Sequence, residues 1–209
     1  MKWMPMSKRY FQKRFPGFDA PPSDDWFDGS GGTFELPRRE EKRSRRRATF
    51  LYFAYGSNLS DVQMRERCPD AEMIGPAILY DHRLAFVSRS NRHGVATVEA
   101  SNGGRVHGLI WRLHAGDLLA LDRYEGTPTC YARERAMVEG PERKIRKVQM
   151  YRALFGEPAL PSEAYLRKIG FAYGRHLFPQ GFLIDAVKRA AREATARQLG
   201  ERWKDAGRA

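Results

Sequence analysis

The run Phe50-Leu51-Tyr52-Phe53-Ala54-Tyr55-Gly56-Ser57-Asn58-Leu59 is the stretch that most constrains this chain. Aromatic and apolar side chains from Phe50 to Tyr55 favour an extended, packed strand. Gly56 admits backbone angles that other residues avoid, and Ser57 and Asn58 can bond their own main chain, so the strand stops in a tight turn. Asp61 is placed to cap a following helix, whose first turns suit Val62-Gln63-Met64-Arg65-Glu66-Arg67. A strand, a glycine turn and a helix start aim several backbone N–H groups at one spot, a cradle for a carboxylate or a developing oxyanion. Such turns also serve as plain connections, and local chemistry leaves both readings open.

A chain of 209 residues can hold one well-cored domain plus an extension, and its 42% hydrophobic content supports such a core. The formal charge of +12 is not confined to one tail: residues 1–48 carry +5 and the remainder +7. Charge alone speaks to solubility and non-specific attraction, so a solvated basic surface is favoured over a dedicated nucleic-acid site. Cys68 and Cys130 are too few for a disulfide framework and lack metal-ligand spacing. They fit a reducing, cytoplasmic setting. No stretch approaches the roughly 18 apolar residues of a membrane span. The basic start Met1 to Arg9 lacks the apolar core of a secretory signal, and Asp24-Asp25 argue against a transit peptide.

Residues 1–48 form a basic, Gly- and Pro-containing extension, expected to be mostly disordered. Pro16-Gly17, Pro21-Pro22 and Gly29-Ser30-Gly31-Gly32 break any period, and seven of the ten residues Arg38–Arg47 are basic. A compact domain is expected over residues 49–199, with a polar tail over 200–209. Within it, Ala77–Ser88, Val95–Val98, Val106–Leu113, Tyr131–Val138 and Lys147–Leu154 read as further strands. Asn102-Gly103-Gly104 reads as a hairpin turn. A short helix is expected from about Ala115, ended by Gly126 and Pro128. A second follows Ser162, the serine being its expected cap, with Tyr165, Leu166, Ile169 and Tyr173 on its buried face. A final helix from about Phe182 points Ile184, Val187, Ala191 and Ala194 at the core. About six strands with helices at particular edges predict an α+β fold, a small mixed β-barrel or strongly curled sheet flanked by helices.

The search for chemistry mostly excludes. His82, His93, His107, His114 and His176 show no metal spacing and fit structural or surface roles. Ser57 is outside any Gly-x-Ser-x-Gly elbow, neither cysteine has a histidine partner, and no phosphate loop exists. Glu125 stands out by position, at the end of the helix just before Gly126. A helix C-terminus disfavours negative charge, which would raise its pKa and suit it to trade protons near neutral pH. Asp122, three residues back on roughly the same face, competes for that role, and an exposed carboxylate at a frayed helix end is the plainer alternative.

Tyr55-Gly56-Ser57-Asn58-Leu59, followed by Leu121-Asp122-Arg123-Tyr124-Glu125-Gly126, resembles the γ-glutamylcyclotransferase (AIG2-like) family. Gly94-Val95-Ala96-Thr97-Val98 and Val106-His107-Gly108-Leu109-Ile110-Trp111 are similar to its central strands, and the Pro161-Ser162 to Tyr173-Gly174 stretch to its late helix. The resemblance covers about residues 50–185 and leaves the extension unexplained.

That resemblance implies a compact barrel-like fold, no cofactor, and cyclisation of a γ-glutamyl amino acid to 5-oxoproline with release of the amino acid. It implies that Glu125 is the catalytic acid/base. It also implies that Tyr52, Phe53, Ala54, Tyr55, Gly56, Ser57 and Asn58 form the substrate-binding loop, and that Tyr131 and Tyr151 close the pocket. The short, proline-containing Gly126–Cys130 departs from the family pattern and leaves the leaving group open. A related γ-glutamylamine cyclotransferase or another γ-glutamyl-removing enzyme is the nearest alternative. A non-catalytic module binding nucleic acid or a partner through residues 38–47 is the alternative of another class. The expected partner is a small γ-glutamyl substrate, with no membrane, in a monomer or homodimer.

Overall fold

The computed structural model describes residues 49–88 and 93–206, with side chains described through Gly200. The expected extension over residues 1–48 lies outside the described residues. Six strands and four α-helices follow in the order β1 (Thr49–Ala54), α1 (Asp61–Arg67), β2 (Glu72–Ser88), β3 (Val95–His114), α2 (Ala115–Glu125), β4 (Tyr131–Glu139), β5 (Ile145–Ala153), β6 (Glu157–Pro158), α3 (Glu163–Arg175) and α4 (Gln180–Ala206). A single turn of 3-10 helix, Ser57–Leu59, separates β1 from α1.

The sheet order is β3-β1-β5-β4-β2-β6, and β2 also pairs with β3, so the first five strands close into a mixed barrel with β6 outside it. The α+β barrel expected from the sequence is the fold observed. β1 lies between β3, antiparallel, and β5, parallel at Tyr52 and Gln149. Flanked on both sides, it buries Tyr52, Phe53 and Ala54 in succession rather than alternately. Phe53, Phe86, Leu109, Ile110, Leu113, Leu121 and Ile169 are among the fully buried residues of the single core.

Gly108 makes the close approach of β3 to β1 possible. A Cβ there would stand 2.4 Å from the Ala54 carbonyl oxygen and 2.5 Å from the Phe53 ring. The bare backbone leaves room for that ring against β3.

Several local expectations are corrected. Asn102-Gly103-Gly104 is not a hairpin: β3 runs unbroken from Val95 to His114, and the register against β2 slips between Tyr80 and His82. Gly103 adopts φ 70°, and its N–H donates to Asp81 Oδ1 at 2.9 Å, so the turn chemistry forms a bulge that bends a long strand pair. Ser60, not Asp61, caps α1. In α4 the buried face is Leu183, Ala186 and Ala190, one position off the expected stripe, while Ile184 is 49% exposed. In α3 Ser162 Oγ accepts from the Tyr165 N–H at 3.2 Å, as expected of the cap. α4 continues to Ala206, into the stretch read as a polar tail. Among the described residues no helix is long and apolar enough to cross a membrane.

Candidate active site

The end of β1 and the turn after it form one wall of a narrow cleft of about 40 Å³ at the rim of the barrel. Tyr52, Tyr55, Gly56, Ser57, Asn58, Ala96, Glu125, Tyr131, Tyr151 and Tyr165 line it. Of the residues singled out from the sequence, Phe53 and Ala54 do not line the cleft: both are fully buried in the core beneath it. The alternation of strand side chains accounts for Tyr52 and Phe53 turning opposite ways, and does not account for Ala54.

Glu125 reaches the cleft because α2 stops there. Gly126 takes the left-handed conformation at φ 65°, and the N–H of Thr127 closes back on the Asp122 carbonyl at 2.9 Å. Leu118 and Leu121 anchor the helix in the core, leaving its last side chain over the turn. The Glu125 side chain is 17% exposed. Burial raises its pKa above the usual carboxylate value, opposed by Arg67 and by the hydrogen bond from Asn58. The expected direction therefore holds, with desolvation rather than the helix terminus as the main cause.

Asp122 is occupied elsewhere. Its Oδ1 accepts from the Tyr151 hydroxyl at 2.8 Å and its Oδ2 from Arg133 at 2.5 Å. Asp122 does not line the cleft, so the geometry separates the two carboxylates that helical spacing left equivalent.

Asn58 is the hub of the site. Its Nδ2 donates to the Tyr52 hydroxyl at 2.8 Å and to Glu125 Oε1 at 3.4 Å. Its Oδ1 accepts from Gln63 Nε2 at 3.1 Å and from Arg67. Gln63 also donates to Ser57 Oγ at 2.7 Å and accepts from Lys168 Nζ at 2.7 Å. The turn is thereby braced from α1 and from α3. Across the cleft the Tyr55 hydroxyl donates to the Tyr151 carbonyl, and the rings of Tyr52 and Tyr151 meet edge to face at 5.7 Å. Burial holds the Tyr52, Tyr55 and Tyr151 phenols well above their usual pKa and raises that of Tyr165, so they act as neutral hydrogen-bonding groups.

Sequence reasoning placed Tyr165 on the packed face of α3 and overlooked Ala96, Gln63, Arg67 and Lys168 as parts of the site. The Tyr165 hydroxyl accepts from the Ala96 N–H at 3.2 Å, bringing β3 and α3 to the cleft together. None of the five histidines lines it. Cys68 is fully buried, and desolvation pushes its thiol up to about 12, the wrong direction for a nucleophile. Among the described residues no three His, Cys, Asp or Glu side chains gather as a metal site.

The family model for γ-glutamyl cyclotransferase, AIG2-like, matches residues 52–167, a span that contains every residue lining the cleft. The chain belongs to the γ-glutamylcyclotransferase family. The γ-glutamylcyclotransferase of Bos taurus is 33% identical over 137 residues, covering 62% of this chain and 73% of that relative. That of Homo sapiens is 34% identical over 128 residues, covering 58% and 68%. A solved structure titled γ-glutamyl cyclotransferase superposes with a TM-score of 0.61 at 29% identity, over 66% of this chain and 86% of the other. Relatives in the γ-glutamylcyclotransferase family are thus similar in sequence and in the barrel that carries the cleft.

Proposed function

We propose that this protein cyclises a γ-glutamyl amino acid to 5-oxoproline and releases the amino acid, with Glu125 carrying the proton. The observation that supports it is the meeting of Glu125 with the Tyr55–Asn58 turn, where Asn58 Nδ2 stands 3.4 Å from Glu125 Oε1. A buried carboxylate of raised pKa beside a turn rich in hydrogen-bond donors is suited to moving protons at a held substrate.

The substrate brings its own nucleophile. Glu125 takes a proton from the α-ammonium, and the freed amine attacks the γ-carbonyl carbon. A C–N bond closes the five-membered ring, and the γ-oxygen becomes an oxyanion. As that intermediate collapses, the bond to the departing nitrogen breaks and Glu125 hands it the proton. The ring nitrogen sheds its second proton, which leaves the released amine as an ammonium. Ring closure depends on a bent substrate, so holding the glutamyl carboxylate at the backbone of residues 55–58 is itself catalytic. N–H groups of the same turn polarise the γ-carbonyl. Tyr131 and Tyr151 close the far side. All of this chemistry is supplied by side chains and backbone, with no cofactor.

The test is release of 5-oxoproline from a panel of γ-glutamyl amino acids and γ-glutamyl amines. Glu125→Gln keeps size and hydrogen bonding but removes the base, and should lower kcat by about a hundredfold or more. Full activity in that variant would remove Glu125 from its role. Turnover of the amines alone would shift the assignment to the γ-glutamylamine branch.

A further inference from the structure

Arg67 stands in the last turn of α1, and its side chain is only 11% exposed. A buried guanidinium needs partners, and this one has three. Its Nη1 donates to Asn58 Oδ1 and lies 3.9 Å from Glu125 Oε1. Its guanidinium carbon sits over the Tyr124 ring, 3.2 Å from the centroid. Tyr124 directly precedes Glu125 on α2, so one cation grips both the turn and the end of the helix that delivers the carboxylate.

The groups facing Glu125 come from every wall of the cleft: Tyr52 and Tyr55 from β1 and the turn, Tyr131 from β4, Tyr151 from β5, and Tyr165 from α3. Beside these tyrosines, Arg67 is the charged group that acts on Glu125, at 3.9 Å; the tyrosines with resolved shifts remain neutral. The orientation of Asn58 depends on it as well. Two donors, Arg67 and Gln63, converge on Oδ1, which turns Nδ2 toward Glu125 and Tyr52.

We propose that Arg67 is a positioning residue of this site, holding the Asn58 amide and Glu125 in register and returning Glu125 to its charged form in each turnover. This rests on the cyclotransferase reading given above. The chemistry calls for such a partner. Two protons leave the attacking nitrogen and two reach the departing one, so the carboxyl must unload as readily as it loads. Burial alone retains the proton on Glu125, and the facing cation opposes that retention. When Glu125 is protonated, Arg67 keeps the Tyr124 face and the Asn58 oxygen, so the cation is not left bare.

The experiment uses the full chain with Arg67→Gln, which preserves a donor to Asn58 but removes the charge, Arg67→Met, which removes both, and Arg67→Lys, which restores charge. Two readouts are taken: the carboxyl titration of Glu125 by NMR, and the pH profile of kcat/KM for 5-oxoproline release. In Arg67→Gln the titration moves to higher pH, and the acid limb of the profile follows. Activity at about pH 6 then falls on the order of tenfold more than at high pH. Arg67→Lys lies nearer to the wild type than Arg67→Gln in both readouts. An unmoved Glu125 titration in Arg67→Gln, or an Arg67→Lys protein identical to Arg67→Gln, overturns the proposal. If Arg67→Met does not fold, the Gln and Lys variants decide. A wild type that releases no 5-oxoproline while Glu125 still shifts in Arg67→Gln would fail the cyclotransferase reading and leave the hold of Arg67 on Glu125 standing.

Discussion

The Asn58 carboxamide donates to Glu125 across 67 positions of sequence, at 3.4 Å, while the same amide nitrogen donates to the Tyr52 hydroxyl at 2.8 Å. Asn58 is 3% exposed, so the groups it serves have little water to replace it. Replacing it by alanine strands the Tyr52 hydroxyl and takes one partner each from Gln63 Nε2 and the Arg67 guanidinium. We expect Asn58→Ala to cost about 1–3 kcal/mol in urea unfolding. Its kcat should fall further than that loss of folded protein explains.

Glu125 gives the fold a signed dependence on pH. Its folded pKa is raised, so the neutral form is tolerated and the charged form is the costly one. Well below the unfolded value the carboxyl is neutral in both states and burial carries no penalty. As pH rises from the unfolded value through the raised folded one, stability is lost. Glu125→Gln should therefore unfold at a higher temperature than the wild type near pH 7, with the gap closing toward pH 4. Thermal melts across that range, read as the difference between the two proteins, check it. A constant gap would mean that burial does not disfavour the charge.

Gly56 tests the wall of the cleft. Its φ of −110° lies outside the left-handed region, while its ψ of −135° falls outside the ordinary β and α regions. A Cβ there would lie 3.0 Å from Ala96 Cβ and 3.3 Å from the Tyr165 hydroxyl, both of which line the cleft. Gly56→Ala should lower kcat/KM by on the order of tenfold or more, and by more than its fall in melting temperature explains.

Gly108 should behave in the opposite way. An alanine there drives into the Ala54 carbonyl and the Phe53 ring, both held by the barrel. Overpacking of this kind costs about 1–3 kcal/mol or more. The urea midpoint of Gly108→Ala should drop sharply, and the activity of whatever protein remains folded should drop with it, because β1 carries the cleft.

The parts of this molecule legible in its sequence are those fixed by short-range chemistry. The apolar run into Gly56, the serine before α3 and the glycine after Glu125 each act on neighbours within a turn or two, and each marks the element expected of it. Asn102-Gly103-Gly104 misled because the same backbone freedom serves a hairpin or a bulge, and only the partner strand, through Asp81, decides between them. The α4 stripe slipped by one position because alanines lie on several faces of that helix and packing against β2 and β6 selects among them. Tyr165 and Arg67 were unreadable as site residues for a related reason. A tyrosine at helical spacing looks like core, and an arginine late in a short helix looks like a favourable end charge. Their meeting with Ala96, Asn58 and Glu125 exists only in the closed barrel.

The position of β1 also dictates when the candidate cleft can first exist. Thr49–Ala54 leaves the ribosome before any partner, and its neighbours are β3, ending at His114, and β5, ending at Ala153. The strand that bears the site is thus an early, apolar segment waiting for about a hundred later residues, and Tyr165 comes later still. Until β5 pairs with it, one side of β1 is an open edge suited to joining another chain. A nascent protein arrested before β5 would hold the most recognisable residues of the family and no cleft at all, and would be the form most in need of a chaperone.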